Sequence, residues 1–425
     1  MNSAAALKPA LALHGGAPVR TKKFPAWPHF TEDEIAVVAE VMRSGRVNYC
    51  TGEQGRAFER EFADACATKQ AVAVANGTLA LELALRCLGI RAGDHVITSS
   101  RTFVASASCI AMLGATPVFA DVHRDTQNVT LDTVRAVLTP ETRAIIAVHL
   151  GGNPCDMDTL VQFAKERNLF LIEDCAQAQG ATYRGRPVGS FGHAAAFSFC
   201  NDKIISSLGE GGMLTTNSTE LWERASAFRD HGVQHGASAQ PANGNGFRWI
   251  HDSIGTNWRM PEAQAAVGRI QLKKASPWLD RRRALADMLR SHLGGIPALR
   301  IPSIQSHIEP AYYRFYAFVR PERLRQGWDR DTILQAVNAE NVPCFSGSCG
   351  EVYLEKAFES SRPTFRHPVA RELGETSLAF PVHPTMADTD MEDMCRAVEK
   401  VMECATCGDE SSSTSKRLRL DLVTG

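Results

Sequence analysis

Between residues 70 and 220 the chain repeats one pattern, a short β-rich apolar run followed by a helical stretch. The runs fall at 71–75, 95–98, 117–121, 144–149, 169–173, 195–199 and 213–216. Several are apolar almost throughout, as strands covered on both faces are and strands with one wet face are not. Helical patterns at 78–88, 102–113, 131–138 and 157–167 lie between most of them. Such alternation predicts an α/β fold with a parallel, doubly wound sheet of seven strands and helices on both faces. No helix separates the last two runs, so one strand is expected to run antiparallel.

Outside this region the pattern changes. Thr31-Glu32-Asp33-Glu34 reads as a capping box ahead of a helix to residue 44. After Pro261 comes a long helix over 262–293, expected to break near Ser276-Pro277, and then an aromatic strand-like run at 312–320. The chain therefore divides into an arm (1–30), a large α/β domain (31–275), a smaller C-terminal α+β domain (276–405) and a tail (406–425). The serines of 411–415 and the basic Lys416-Arg417-Leu418-Arg419 predict a disordered, solvated tail. No internal repeat is found.

Composition removes whole classes of function. With 46 Lys and Arg against 47 Asp and Glu, the net charge of -1 provides no basic field for nucleic acid or an anionic membrane. The 44% hydrophobic and 22% charged content is that of a globular chain, not a disordered or fibrous one. Apolar stretches such as 144–150 fall well short of the roughly 18–20 residues of a membrane helix. Residues 1–16 carry no secretory pattern, so the expected location is cytoplasmic. The twelve cysteines are scattered and mostly set in apolar segments, as reduced core thiols would be. Cys404 and Cys407 have metal-like spacing but neither a second pair nor a nearby His, and no metal is expected.

Ligands of open α/β sheets bind beyond the carboxyl ends of the strands, so the residues just after each run carry the chemistry. After the first run, Asn76-Gly77-Thr78 opens a helix whose free N–H groups suit an anion such as phosphate, although an ordinary helix cap reads the same. After the fifth comes Glu173-Asp174-Cys175-Ala176-Gln177, where Asp174 alone would pass for an N-cap. After the sixth, Phe197-Ser198-Phe199-Cys200-Asn201-Asp202-Lys203 precedes Gly209-Glu210-Gly211-Gly212. A lysine leaving a buried strand ahead of a glycine turn points to an amine nucleophile.

Together these features resemble pyridoxal-phosphate (PLP) enzymes of the aspartate aminotransferase fold, fold type I. More closely, the chain is similar to the nucleotide-sugar aminotransferases of the DegT/DnrJ/StrS type. The likeness is carried by Thr51-Gly52, Phe58-Glu59, Asn76-Gly77-Thr78-Leu79-Ala80-Leu81, Thr102-Phe103-Val104-Ala105, Gly114-Ala115-Thr116-Pro117-Val118-Phe119, the Asp174 and Lys203 segments, and Gly255-Thr256-Asn257-Trp258-Arg259-Met260. It covers about residues 12–400, in family order.

The resemblance implies a role for each matching residue. Lys203 would hold PLP as a Schiff base and, once freed, carry the proton between substrate and cofactor. Asp174 would pair with the pyridine nitrogen, while Asp202 reads as a turn residue. Gln177 would lie by the ring oxygen or over one ring face, and Phe103 would stack on the other. Gly77, Thr78 and Ser198 would bind the phosphate. Asn257 would reach the phosphate of a neighbouring subunit, which implies a homodimer with shared active sites. Arg229, His231, Tyr313 and His383 match positions where the family presents polar groups to the sugar and the donor carboxylate. Departures from the family pattern are Ser206-Ser207-Leu208, Arg101 and the tail.

The implied activity is transfer of an amino group from L-glutamate, or L-glutamine, to a keto-sugar carried by a nucleotide. A keto-cyclitol aminotransferase is the nearest alternative, and a non-catalytic regulator on the same fold another. Sugar-dehydrating relatives have His where this chain has Lys203. A dinucleotide enzyme lacks its motif, since Gly244-Asn245-Gly246 has no third glycine and follows no strand.

Overall fold

A computed structural model describes residues 10–233 and 250–406. The tail from 407 onward, Cys407 of the spaced cysteine pair and Gly244-Asn245-Gly246 lie outside the described residues.

All seven apolar runs are strands of one sheet: β1 (Gln70–Val74), β2 (His95–Ser99), β3 (Thr116–Ala120), β4 (Thr142–Val148), β5 (Phe170–Asp174), β6 (Ala194–Ser198) and β7 (Gly212–Thr216). Their spatial order is β1-β7-β6-β5-β4-β2-β3. Pairings among β3, β2, β4, β5 and β6 are parallel, and β7 runs antiparallel to both β6 and β1. This is the reversal that the missing helix implied.

Alternate residues of each strand enter opposite cores. Val72, Val96, Ile146, Ile172, Ala196 and Leu214 face α3 (Gly77–Cys87), α4 (Ala105–Ala111) and α7 (Thr219–Arg229). Ala73, Ala195, Phe197 and Met213 face α2 (Gln54–Ala65) and the first half of α8 (Glu262–Leu293). Ile145, Ala147 and Leu171 face α6 (Met157–Glu166). Helices thus cover both faces, and the continuous hydrophobicity of the strands has its physical reason.

A second, antiparallel sheet has three strands, 299–300, 315–319 and 377–380, with the middle one paired to both others. The second half of α8 packs on it together with α9 (Arg330–Ala339) and α11 (Asp388–Ala405). Helix α8 is unbroken over 32 residues with Pro277 inside it, contrary to the break expected there. An interior proline costs about 3 kcal/mol. Here Leu272, Ala275, Trp278 and Leu279 before and around it pack into one core, and Leu285, Ala286, Leu289 and Leu293 after it pack into another. Burial on both sides outweighs the lost hydrogen bond.

Near its other end the chain is fastened by side chains. Glu34 accepts the Thr31 backbone N–H at 2.6 Å, closing the start of α1 (Glu32–Ser44) as its sequence predicts. Glu262, buried at the start of α8, accepts the backbone N–H groups of Gln54 (2.6 Å) and Gly55 (2.9 Å) at the start of α2. No described helix is long and apolar enough to cross a membrane. The eleven described cysteines are free thiols.

Replacing Glu262 by Ala should leave two buried amides at the α2 terminus without an acceptor. A loss of about 2 kcal/mol is expected in urea denaturation. An unchanged midpoint would show that water satisfies these amides equally well.

Candidate active site

Register brings the site together. Gly212, the first residue of β7, pairs with Val74 on one side and Ser198 on the other. The chain leaving β1 therefore turns into α3 directly beside the end of β6. A Cβ on Gly77 would stand 2.6 Å from the Ser198 Cβ, and one on Gly212 would run into the Asn76 carbonyl oxygen. Glycine is required at both positions by this close approach. Asn76 caps α3, its side chain accepting from the Leu79 N–H at 3.0 Å. The N–H groups of Gly77 and Thr78 have no partner among the described residues and stand at the positive end of the helix dipole, a seat for an anion. Ser198 adds a hydroxyl there, while its carbonyl accepts from the buried Gln179 amide.

Asp174 closes β5, flanked in the sheet by Val148 and Ala196. Its carboxylate is buried, accepting the Ser106 hydroxyl at 2.7 Å and the Ala176 N–H at 3.1 Å. Ser106 in turn meets the Thr102 hydroxyl at 2.8 Å. No cation pairs with Asp174 among the described residues, and a buried anion of this kind calls for one. Gln177 follows it, with its side-chain oxygen held by the Gly151 N–H at 2.7 Å. Phe103, on the turn between β2 and α4, is 66% exposed, and no ring stacks on it among the described residues.

Lys203 lies in the turn after β6, and its carbonyl accepts the Trp27 indole N–H at 2.8 Å. The ammonium stands 3.3 Å from Asp202 and 4.7 Å from the centre of the Tyr313 ring. The Tyr313 hydroxyl donates to the other Asp202 oxygen. Burial opposes ionisation of Asp202, but Lys203 and the Tyr313 hydroxyl outweigh it and its pKa is lowered. Burial and Asp202 push the Tyr313 hydroxyl upward. His383 stacks on Trp27, with centroids 6.0 Å apart, and its ring meets Thr385 at 2.7 Å. Burial first, then the positive charges of Arg282 and Arg314, lower its pKa to about 4, so it is neutral near pH 7.

Two expected substrate residues are placed differently. Arg229 is buried in an ion pair with Glu59, donates to the Ala73 carbonyl at 3.1 Å and stacks on Tyr49 at 4.1 Å. It ties α7 to α2 and β1, a use within the fold that its sequence position did not announce. His231 is exposed beside Asp230, which bridges to the likewise exposed Asn257. No hydrogen bond among the described residues joins either to Lys203.

Sequence reading missed Ser106, Trp27, Gln179 and the ion pair of Asp202. Ser106, Trp27 and Gln179 meet their partners across intervening chain, while Asp202, read as a turn residue, pairs with the adjacent Lys203, and neither case has a local signal. The buried group His149, Glu173 and Cys175 comes close enough for a metal. However, His149 meets Glu173 at 3.1 Å and accepts from the Cys155 N–H at 3.0 Å, while Glu173 also takes the N–H groups of Gly189, Phe191 and Gly192. These bonds give the group a structural use.

An anion seat at a helix start, a buried carboxylate wanting a cation, an exposed aromatic face and an amine fit a phosphorylated pyridine aldehyde residue for residue. The comparisons agree. The family model for DegT/DnrJ/EryC1/StrS aminotransferases matches residues 28–399. The chain is 35% identical to a dTDP-3-amino-3,4,6-trideoxy-alpha-D-glucose transaminase of Streptomyces venezuelae, over 91% of this chain and 96% of that one. It is 32% identical to a GDP-perosamine synthase of Escherichia coli O157:H7, over 88% and 96%. Among solved structures, an aminotransferase from Psychrobacter cryohalolentis superposes with a TM-score of 0.87 at 47% identity, covering 90% of this chain and 99% of that one.

Gly77→Ala should push the α3 start away from Ser198. PLP affinity, titrated by the visible absorbance of the apoprotein as it reloads, is expected to fall at least about tenfold, or roughly 1.4 kcal/mol. Unchanged affinity would mean that the phosphate sits elsewhere.

Proposed function

Since this chain belongs to the DegT/DnrJ/EryC1/StrS aminotransferase family, we propose that it moves an amino group from L-glutamate, or L-glutamine, onto a keto-sugar carried by a nucleotide. The enzyme is PLP-dependent, of fold type I. The observation that carries the reading is the convergence of Lys203, the unpaired Asp174 and the α3 start at the carboxyl edge of one sheet. Relatives named for dTDP- and GDP-linked amino sugars support the substrate class without selecting a nucleotide.

Bound PLP supplies an aldehyde that takes up the amino group and a ring that draws off electrons. The residues do the rest. Lys203 holds the cofactor and, when freed, takes the proton from the substrate carbon at Nζ and returns it. Asp202 lies where it can steady that ammonium. Asp174 keeps the pyridine nitrogen protonated, and Ser106 orients the carboxylate. Gly77, Thr78 and Ser198 would anchor the phosphate, Phe103 would cover one ring face, and Gln177 would lie by the ring oxygen or over the other face. Donor and acceptor use one site in turn, so 2-oxoglutarate leaves before the keto-sugar enters. Tyr313, whose ring lies against the Lys203 amine, and His383, stacked on Trp27, would border the substrate, with His231 as a further candidate.

We also place Asn257 in the neighbouring subunit's phosphate site, so that a homodimer completes two shared sites. Its exposed side chain, which makes no hydrogen bond among the described residues, suits that reach, while the backbone is held by the bridge to Asp230. By two-fold symmetry both sites form or neither does.

Incubating the enzyme with L-glutamate and a panel of nucleotide-linked keto-sugars should give an aminated product and 2-oxoglutarate in equal amounts by mass spectrometry. Asp174→Asn is nearly isosteric and should keep the fold while slowing the glutamate half-reaction by about 3 kcal/mol or more, as loss of one partner of a buried charged pair does. Near-wild-type rates would remove Asp174 from the mechanism, and a panel with no aminated sugar would exclude the proposed acceptors.

A further inference from the structure

The turn that carries Lys203 is anchored on either side of that residue. Before it, the Cys200 N–H donates to the Ser198 hydroxyl at 3.3 Å, and after it the Ser206 N–H donates to the Gln271 side-chain oxygen at 2.7 Å. The Lys203 peptide itself has less support. Its N–H turns back to the Cys200 carbonyl at 3.1 Å, and its carbonyl accepts from one donor among the described residues, the Trp27 indole N–H at 2.8 Å. That single bond crosses 176 residues of chain to the root of the amine.

Trp27 is in turn held from several directions. Its ring meets Trp278 edge-on with centroids 5.1 Å apart, stacks on His383 at 6.0 Å and lies 5.2 Å from the Arg282 guanidinium, so α8 and the loop after the strand at 377–380 both grip it. The Thr385 hydroxyl donates to the carbonyl of the preceding residue, Ala26, at 3.1 Å. Farther up the arm, the wholly buried Glu340 accepts the N–H groups of Ala12 and Val19, both at 2.9 Å, and pairs with Lys400 of α11 at 2.8 Å. Arg20 bridges to Asp390 (2.6 Å) and Asp393 (2.8 Å), also on α11, and lies over the Phe24 ring at 4.2 Å. The arm is therefore a fastened strap, and it ends at the lysine.

We propose that Trp27 is a positioning residue for Lys203: its indole N–H, mounted on this strap, fixes the peptide from which the amine reaches the cofactor. This rests on the reading that Lys203 carries the cofactor and deepens it. A lysine has a flexible four-carbon stem, so the place of its root limits where the freed amine can go. Proton transfer at Nζ requires reacting atoms about 3–3.5 Å apart, and a displacement of ~1 Å costs on the order of a hundredfold in rate. A tryptophan needed only for packing would require the ring and not the N–H.

Trp27→Phe separates the two roles, because it keeps a ring against Trp278 and His383 and removes the donor. In the PLP-loaded variant the Tm should stay close to that of wild type, while the visible circular dichroism, which reports how the bound cofactor is held, should change. Stopped-flow of the glutamate half-reaction should show a limiting rate at least about tenfold lower, with the half-saturating glutamate concentration altered less than about twofold. A lowered Tm with the dichroism and limiting rate of wild type overturns the proposal. Arg20→Met, whose side-chain partners lie on α11 and the arm, should give the same dichroic change at smaller amplitude. If Trp27→Phe does not fold, a wild-type spectrum and rate in Arg20→Met overturn the proposal instead. Where wild type reacts with L-glutamate and Trp27→Phe equals it, the aminotransferase reading stands and only the positioning role falls. Where wild type reacts with no amino acid, the donor reading falls, and the dichroism of the loaded proteins still decides the role of Trp27.

Discussion

The site depends on one close approach of backbone. Because β7 is antiparallel and starts at Gly212, it sets Val74 and Ser198 on either side of a single glycine. That register puts the start of α3 against the end of β6, with Gly77 in contact range of Ser198. A one-residue slip would exchange every side chain between the two cores and also part the helix dipole from the strand that leads to Lys203. The same register keeps the Gly-rich turn at 209–212 beneath that loop, where the Phe199 N–H donates to the Gly211 carbonyl at 2.8 Å. Packing and chemistry are specified here by the same few residues.

Around this centre charges are handled in two ways. Where the chain needs rigidity it pairs them, as in Glu59 with Arg229, or satisfies them with backbone, as in Glu173 and Glu262. Where chemistry is proposed it leaves them open. Asp174 has hydroxyl and amide donors but no cation among the described residues. A buried carboxylate without a cation is an unstable feature of a fold, and its place at the carboxyl end of β5, next to β6, is the physical argument for a ligand that brings the missing partner.

Much of this was legible in the sequence because it is periodic or lies at strand ends. Continuous apolar runs gave the strands within about two residues, and the absent helix between 199 and 213 foretold the antiparallel β7. Asp174 and Lys203 could be singled out because each follows such a run. Pro277 misled, since local propensity cannot register that both halves of α8 find separate cores. The fold partners of Arg229 were illegible for a related reason. Its neighbours in sequence, Asp230 and His231, are polar and suggest an open site, while its partner Glu59 lies 170 residues away. Ser106 and Trp27 reach the site from two distant segments, and no spacing along the chain announces them.

The central claim is that Lys203 carries the cofactor. It is tested most directly by reducing the PLP-loaded protein with borohydride and mapping the pyridoxyl group by peptide mass spectrometry. The label is expected on Lys203 alone, and prior incubation with L-glutamate should diminish it, because the amino group then leaves the cofactor detached from the lysine. A pyridoxyl group on any other lysine would contradict the site described above.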